Sequence, residues 1–297
     1  MIESRLPELP LRDAESHKGT FGTALIVGGS RGMTGAVTLS GMAALRGGAG
    51  LVRLAVPNPC LEVVASVEPS YMTSPLPCDR RGRIALTAVD RIAQLAETAT
   101  VVACGPGLGR SLGLTTLVVW LYQNLGKPMV VDADALSALS ERSQSLASPG
   151  GPRILTPHPG EFARLLGIDR VPPEQRRARA VDLASRCGAT VVLKGHRTLI
   201  TDGHRESLNT TGNPGMATGG SGDVLTGLIA ALICQRLAPF DAAQLGVHLH
   251  GLAGDLAADD LGQESLMASD LIRFLPAAFK AYRAIQPHAR RPAESGE

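Results

Sequence analysis

Six short runs of aliphatic and β-branched residues, at 23–27, 51–56, 100–104, 129–131, 153–156 and 190–193, alternate with segments patterned for helix along the 297-residue chain. Strands that are apolar on both faces need cover above and below. A helix between successive strands supplies that cover and returns the chain in the same direction. The alternation therefore predicts an α/β fold: a three-layer arrangement with a largely parallel central sheet covered by helices. Helices are predicted at 35–46, 112–124, 160–166, 173–186, 241–261 and 268–285. Val224, Leu225, Leu228, Ile229, Leu232 and Ile233 recur with helical period and give a further helix one apolar face against the core. No repeat or low-complexity linker interrupts the pattern. One domain over 1–297 is expected, with a loose tail at 286–297, where Pro, Arg, Ser and Gly replace apolar residues.

Composition narrows the class of partner. Lysine and arginine number 29 and the acids 27, a formal charge of +2, so no broad footprint for nucleic acid or an anionic membrane is expected. Any anion site must be local. Aromatics are 3% while glycines number 34, which disfavours stacking platforms for single strands and favours tight turns with exposed amides. No apolar run reaches the ~20 residues of a membrane span, and the first residues lack the basic-then-apolar order of a secretory signal. A cytoplasmic protein is expected. Cys60, Cys78, Cys104, Cys187 and Cys234 are odd in number and form no CxxC pair, which points to reduced, mostly buried thiols.

The segment richest in chemistry runs Asn209-Thr-Thr-Gly-Asn-Pro-Gly-Met-Ala-Thr-Gly-Gly-Ser-Gly-Asp223 and feeds directly into the apolar helix. Glycines leave backbone N–H groups uncovered, and the following helix start adds a partial positive charge of ~0.5. Gly219, Gly220 and Gly222 are thus expected to form an anion cradle suited to phosphate. Asp223 stands at its edge, where a carboxylate takes a proton from a hydroxyl while the amides hold a phosphoryl group. The plainer account makes Asp223 a helix cap and the glycines a turn.

Together with other segments this loop resembles the ADP/ATP-dependent NAD(P)H-hydrate dehydratases of the ribokinase-like superfamily. The likeness covers most of the chain: His17-Lys18-Gly19, Gly28-Gly29-Ser30, Gly35-Ala36, Arg46 to Val52, Gly105-Pro106-Gly107-Leu108-Gly109, Val131-Asp132-Ala133-Asp134-Ala135-Leu136, Thr156-Pro157-His158-Pro159-Gly160-Glu161, Lys194-Gly195, the Asp223 loop and Ala268-Ser269-Asp270. The resemblance implies a ribokinase-like fold and ADP-dependent dehydration of (6S)-NADHX or NADPHX to NADH or NADPH, with ADP converted to AMP and phosphate. It implies Mg2+ on the nucleotide, ADP or ATP as donor, a homotetramer, and cooperation with a separate epimerase, since nothing in the sequence resembles a fused epimerase domain.

Under this resemblance Asp223 is the base, Gly220, Ser221 and Gly222 form the anion hole that holds the phosphoryl group, and Ala36, Gly109, His158 and Asp223 hold the dinucleotide. Lys194, Gly195, His196, Arg197, Thr198 and Gly222 take the ADP or AMP. A basic hairpin in solvent is the plain alternative for 194–198, and a ligand-free turn for Gly107. Asp132 and Asp134 either orient magnesium through water or cap a short helix at 135–140; the second-shell role suits Asp132 and the cap Asp134. Glu161 is either a first-turn acid favoured by the helix dipole or a further contact to metal-bound water. No direct metal ligand is expected. His248 and His250, two residues apart on a helix, point to different faces and read as packing or surface residues. Trp120 reads as core. Two other classes fit the same loop: a small-molecule kinase of the superfamily, acting on a vitamin precursor or sugar, and a non-catalytic nucleotide sensor.

Overall fold

The computed structural model describes residues 5–286, so the tail expected at 286–297 lies almost wholly outside the described residues. The strands are β1 (Thr23–Val27), β2 (Leu51–Pro57), β3 (Met72–Leu76), β4 (Val101–Cys104), β5 (Met129–Val131), β6 (Arg153–Leu155), β7 (Thr190–Leu193), β8 (Leu199–Thr201) and β9 (Glu206–Leu208). They form one sheet in the order β3-β2-β1-β4-β5-β6-β7-β8-β9. From β3 to β7 every pairing is parallel; β7–β8 and β8–β9 are antiparallel. The helices are α1 (Thr34–Arg46), α2 (Leu61–Ala65), α3 (Val89–Glu97), α4 (Leu112–Asn124), α5 (Ala133–Ser140), α6 (Pro159–Leu165), α7 (Arg176–Cys187), α8 (Ser221–Cys234), α9 (Pro239–Leu261) and α10 (Ala268–Ala284).

Side chains alternate across a strand, so each strand feeds two cores. Leu25, Val27, Val102, Cys104, Met129, Val131, Leu155 and Val191 face one side, under α3 to α7. Ala24, Ile26, Val101, Ala103, Val130, Ile154 and Val192 face the other, under α1, α8, α9 and α10. The three layers expected from the alternation follow. Trp120 packs against the first of these cores. Cys60, Cys104, Cys187 and Cys234 are buried and Cys78 half-buried, all as free thiols.

Helix α8 departs from the one-faced pattern expected of it. Every residue from Val224 to Cys234 is buried, because the sheet lies beneath the helix while α1 and α9 flank it. At Gly227 the two helices touch backbone to backbone: a β-carbon there would run into Ser40 O. Ser40 Oγ then donates to Asp223 O at 2.8 Å, which fixes the start of α8 relative to α1. Beyond Pro172 and Pro173 the chain takes a short turn before α7 begins at Arg176, three residues later than the pattern suggested.

Strand order reverses at the β1/β4 junction, so the loops leaving β1 and β4 diverge to opposite sides and open a crevice at the carboxyl ends of the strands. Those ends carry, in sheet order, Gly28-Gly29-Ser30, Gly105 to Gly109, Asp132, Thr156-Pro157-His158 and Lys194.

Candidate active site

The 209–220 loop is held from below by α9. Asp255 accepts from Gly212 N at 2.8 Å and from Asn213 Nδ2 at 3.0 Å, and Thr211 Oγ1 donates to His248 O at 2.9 Å. His250 Nε2 donates to Ser221 O at 2.9 Å, and burial pulls that imidazole's pKa down to about 4, so it is neutral. His248 and His250 are therefore parts of this support, and the surface alternative does not hold for His250. Gly220 enters α8 in the left-handed region, φ 93°, a turn that glycine makes without strain. Ser221 Oγ donates to Met216 O at 2.8 Å, so this hydroxyl is spent on the loop itself. Ser221 N reaches Thr218 O at 3.4 Å, so what α8 offers an anion is its other first-turn N–H groups and the positive end of a 14-residue helix.

Asp223 sits in the first turn of α8. Burial is the main cause that pushes its carboxyl up to about 7; Asp132, Asp134 and Glu161 add repulsion, and Lys194 opposes them. The result is an acid poised to exchange a proton near neutral pH.

Behind Asp223 lies an ion pair. Lys194 Nζ donates to Asp132 Oδ1 at 2.8 Å and stands 3.9 Å from Glu161 Oε2, while Thr226 Oγ1 donates to Asp132 Oδ2 at 2.8 Å. Asp132 is 1% exposed. Burial works against the Lys194 ammonium, but Asp132 and Glu161 together outweigh it and hold its pKa above the ordinary value. Nζ lies 3.2 Å from where a β-carbon on Gly222 would stand, so the cation reaches the start of α8 rather than following its turn into solvent. The rest of that turn is Gly195, His196 and Arg197, all exposed, closed by Thr198 Oγ1 donating to Gly195 O at 3.0 Å.

His158 caps α6. Its Nδ1 accepts from Gly160 N at 3.0 Å and Glu161 N at 3.4 Å, and Glu161 Oε2 accepts from His158 N at 2.8 Å. Glu161 is thus a capping-box acid. Burial raises its pKa, with Lys194 pulling the other way. Burial and the positive Lys194 and Arg164 lower that of His158. The neutral imidazole carries its hydrogen on Nε2, and 52% of the side chain is exposed.

Asp134 corrects an expectation. It does not cap α5; Oδ2 accepts from Gly109 N at 2.8 Å and Oδ1 lies 3.7 Å from Arg110 Nε, so it tethers the β4 loop. That loop is laced to the one after β1 by Gly29 N donating to Pro106 O at 2.7 Å and Ser30 Oγ donating to Gly107 O at 2.8 Å. Ala36, in the first turn of α1, faces Gly107 across this seam. Asp223, Gly222, Asp132, Lys194 and Glu161 meet in one basin, and Ala36 and Gly109 line the crevice at the next strand ends.

Thr226, Ser40 and Asp255 escaped the sequence reading. Thr226 had a signal, a hydroxyl in an apolar helix one turn beyond Gly222, on the same face. Asp255 shares a face of α9 with His248 and Gly251, but nothing in the sequence pairs it with a loop some forty residues away. Among the described residues no group of three or more His, Cys, Asp or Glu is arranged to hold a metal ion, and no helix is long and apolar enough to cross a membrane.

The family model for NAD(P)H-hydrate dehydratase matches residues 24–277. A bifunctional NAD(P)H-hydrate repair enzyme of Moorella thermoacetica is 47% identical over 91% of this chain and 51% of its own length. An ADP-dependent (S)-NAD(P)H-hydrate dehydratase of Neisseria meningitidis is 41% identical, over 84% of this chain and 82% of its own. The chain spans about half the length of the bifunctional relatives it matches. Among solved structures, an ADP/ATP-dependent NAD(P)H-hydrate dehydratase from Bacillus subtilis, co-crystallised with ATP and Mg2+, superposes with a TM-score of 0.78 at 34% identity, over 92% of this chain and 94% of that one. A ribokinase-like superfamily protein of Enterococcus faecalis gives 0.78 at 29% identity, over 92% of each chain, so the three layers are the ribokinase-like fold. With the family model and the Neisseria relative both spanning most of its length, the chain belongs to the NAD(P)H-hydrate dehydratase family.

Proposed function

We propose that this chain repairs hydrated nicotinamide dinucleotides, converting (6S)-NADHX or NADPHX to NADH or NADPH with ADP as phosphoryl donor. The observation that carries the reading is Asp223, a carboxylate raised to about 7 at the mouth of the α8 amides. Hydroxide leaves carbon poorly and phosphate leaves it well. Asp223 takes the proton of the C6 hydroxyl as that oxygen attacks the terminal phosphorus of ADP; the bond to AMP breaks, and the Gly220-Ser221-Gly222 amides hold the charge that develops. The lone pair of ring nitrogen N1 then expels phosphate from C6, and loss of a C5 proton restores the 5,6 double bond. The products are NAD(P)H, AMP and phosphate.

Asp132 has both oxygens engaged, and Glu161 Oε1, outside the capping bond, lies 3.5 Å from His158 Nε2, which suits contact with metal-bound water and not a closed protein cage. Magnesium, when bound, screens the nucleotide's phosphates. Ala36, Gly109 and His158 hold the dinucleotide, with His158 presenting Nε2–H. Lys194, Gly195, His196, Arg197, Thr198 and Gly222 receive the nucleotide. The same reading places the chain in the cytoplasm, as a homotetramer, beside an epimerase that supplies the (6S) form; the bifunctional relatives support that last point.

The test is incubation with hydrated NADH or NADPH and each nucleotide in turn. Growth of the reduced-nicotinamide absorbance with AMP release supports repair. A stable phosphorylated product shows a kinase instead, and binding without turnover shows a sensor.

A further inference from the structure

The chain is nearly neutral overall, yet arginines gather on three loops beside Gly109. Arg31 lies on the loop after β1; Arg80, Arg81 and Arg83 lie on the tight turn closed by the Cys78–Ile84 bridge; Arg110 follows Gly109 on the β4 loop. These loops are tied to one another. Arg31 N donates to Gly82 O at 3.1 Å, and Arg83 donates to Arg110 O. Arg83 Cδ stands 3.1 Å from where a β-carbon on Gly109 would be.

Two carboxylates serve the five guanidinium groups. Asp79 is taken by Arg83, at 2.8 Å to Nε and 2.6 Å to Nη2, and Asp134 lies 3.7 Å from Arg110 Nε while it holds Gly109 N. Arg31, Arg80 and Arg81 are exposed and have no ion-pair partner among the described residues. Such a concentration of unpaired guanidinium is costly through mutual repulsion, and it matches the fork geometry that binds phosphate. Arg83, clamped to Asp79, fixes the turn that carries the others. At ~4.8 Å per strand, the β1 and β4 loops stand roughly 5–10 Å across the sheet from the β5 end that carries Asp132, beside which the start of α8 and Asp223 lie. A dinucleotide whose ring lies at Asp223 would bring its phosphates over these neighbouring strand ends.

We propose that Arg31, Arg81 and Arg110 form a phosphate-binding site for the dinucleotide substrate, at the strand ends beside Gly109. This rests on the repair reading for the identity of the ligand. Two phosphate sources share the chemistry, the pyrophosphate bridge common to both dinucleotides and the 2′-phosphate that NADPHX alone carries.

The full chain and its Arg31→Ala, Arg81→Ala and combined variants are assayed with ADP saturating and NADHX or NADPHX varied. KM is expected to rise ~10-fold per lost charged contact while kcat is retained. A rise confined to NADPHX assigns the 2′-phosphate, and an equal rise for both assigns the pyrophosphate. Unchanged KM for both substrates overturns the proposal while leaving the repair activity standing. If the parent chain turns over neither substrate, binding of NADP+ and NAD+ by calorimetry decides independently: weakening in the combined variant supports the site, and unaltered binding, or none to the parent chain, refutes it. All variants are melted to show that these exposed positions leave the fold intact.

Discussion

Replacing Asp223 with asparagine is expected to remove turnover and to stabilise the protein. The carboxyl ionises near 3.8 in the unfolded chain and at about 7 in the folded one, chiefly through burial and then repulsion from Asp132. Between these values the folded state binds more protons than the unfolded state, so stability falls as pH rises from about 4 to about 7 and is level above that. At ~1.4 kcal/mol per factor of ten, the full difference caps the cost at roughly 4 kcal/mol. Water reaching the edge of the group reduces this to about 2 kcal/mol, or roughly 4–8 °C in Tm. Asparagine removes the charge at nearly constant volume. Thermal melts of both proteins from pH 4 to pH 9 should show a gap that opens with rising pH and saturates above 7. In the proposed role the base works deprotonated, so kcat/KM should climb through about pH 7, while the variant should lose ~10²–10⁴-fold. A Tm gap that is constant with pH, or widest in acid, would refute the electrostatic account of Asp223 even if activity were lost.

Lys194→Met should cost ~3–5 kcal/mol in denaturant melts, since it strands a buried Asp132, and adding Asp132→Asn should recover part of the loss. Asp255→Ala removes two hydrogen bonds from the 209–220 loop; about 1–3 kcal/mol of stability and faster amide exchange at Gly212 and Gly222 are expected, with Asp255→Asn giving partial rescue. His158→Asn keeps a helix cap but no imidazole, so KM for the dinucleotide should rise while kcat stays within ~10-fold. Accumulation of a phosphorylated intermediate in that variant would give His158 a part in the elimination.

Sheet and site were legible to different depths for physical reasons. The central strands are apolar on both faces, and β1, β5 and β7 coincide with the runs that announced them. Edge strand β3 is Met-Thr-Ser-Pro-Leu, with a proline and two hydroxyls, and β9 is Glu-Ser-Leu; such strands need little hydrophobicity and leave little trace. Helix α3 does carry a helical period in Val89, Ile92, Leu95 and Ala96, but over only nine residues, and the sequence reading passed over it. In the site, the residues that announced themselves sit on local motifs: the glycine loop, Pro-His-Pro, Asp-Ala-Asp. Those that escaped act across the chain. Asp134 had the local look of a helix cap, but its partner, Gly109, lies 25 positions away, and the 94 positions between Asp132 and Thr226 offer no pattern to follow.

In the proposed reaction, the elimination step turns on which proton acceptors the crevice can offer. His158 is the obvious imidazole, yet its Nδ1 already accepts two backbone N–H groups from the first turn of α6. To serve as a base through Nε2 it would have to carry its hydrogen on Nδ1, facing two donors and leaving two amides of α6 without an acceptor; that tautomer gives up a cap worth ~1 kcal/mol and adds donor–donor repulsion. His250 is half-buried, neutral and committed to Ser221 O. Asp223 has just received the hydroxyl's proton. With phosphate leaving from C6, the ring becomes an iminium ion whose C5 hydrogen is acidic enough for water or the departing phosphate to remove. The residues around Asp223 therefore concentrate on making the phosphate ester, the step that needs a positioned base. After it, the dinucleotide's own nitrogen supplies the push, which explains how a kinase-like site suffices for a dehydration.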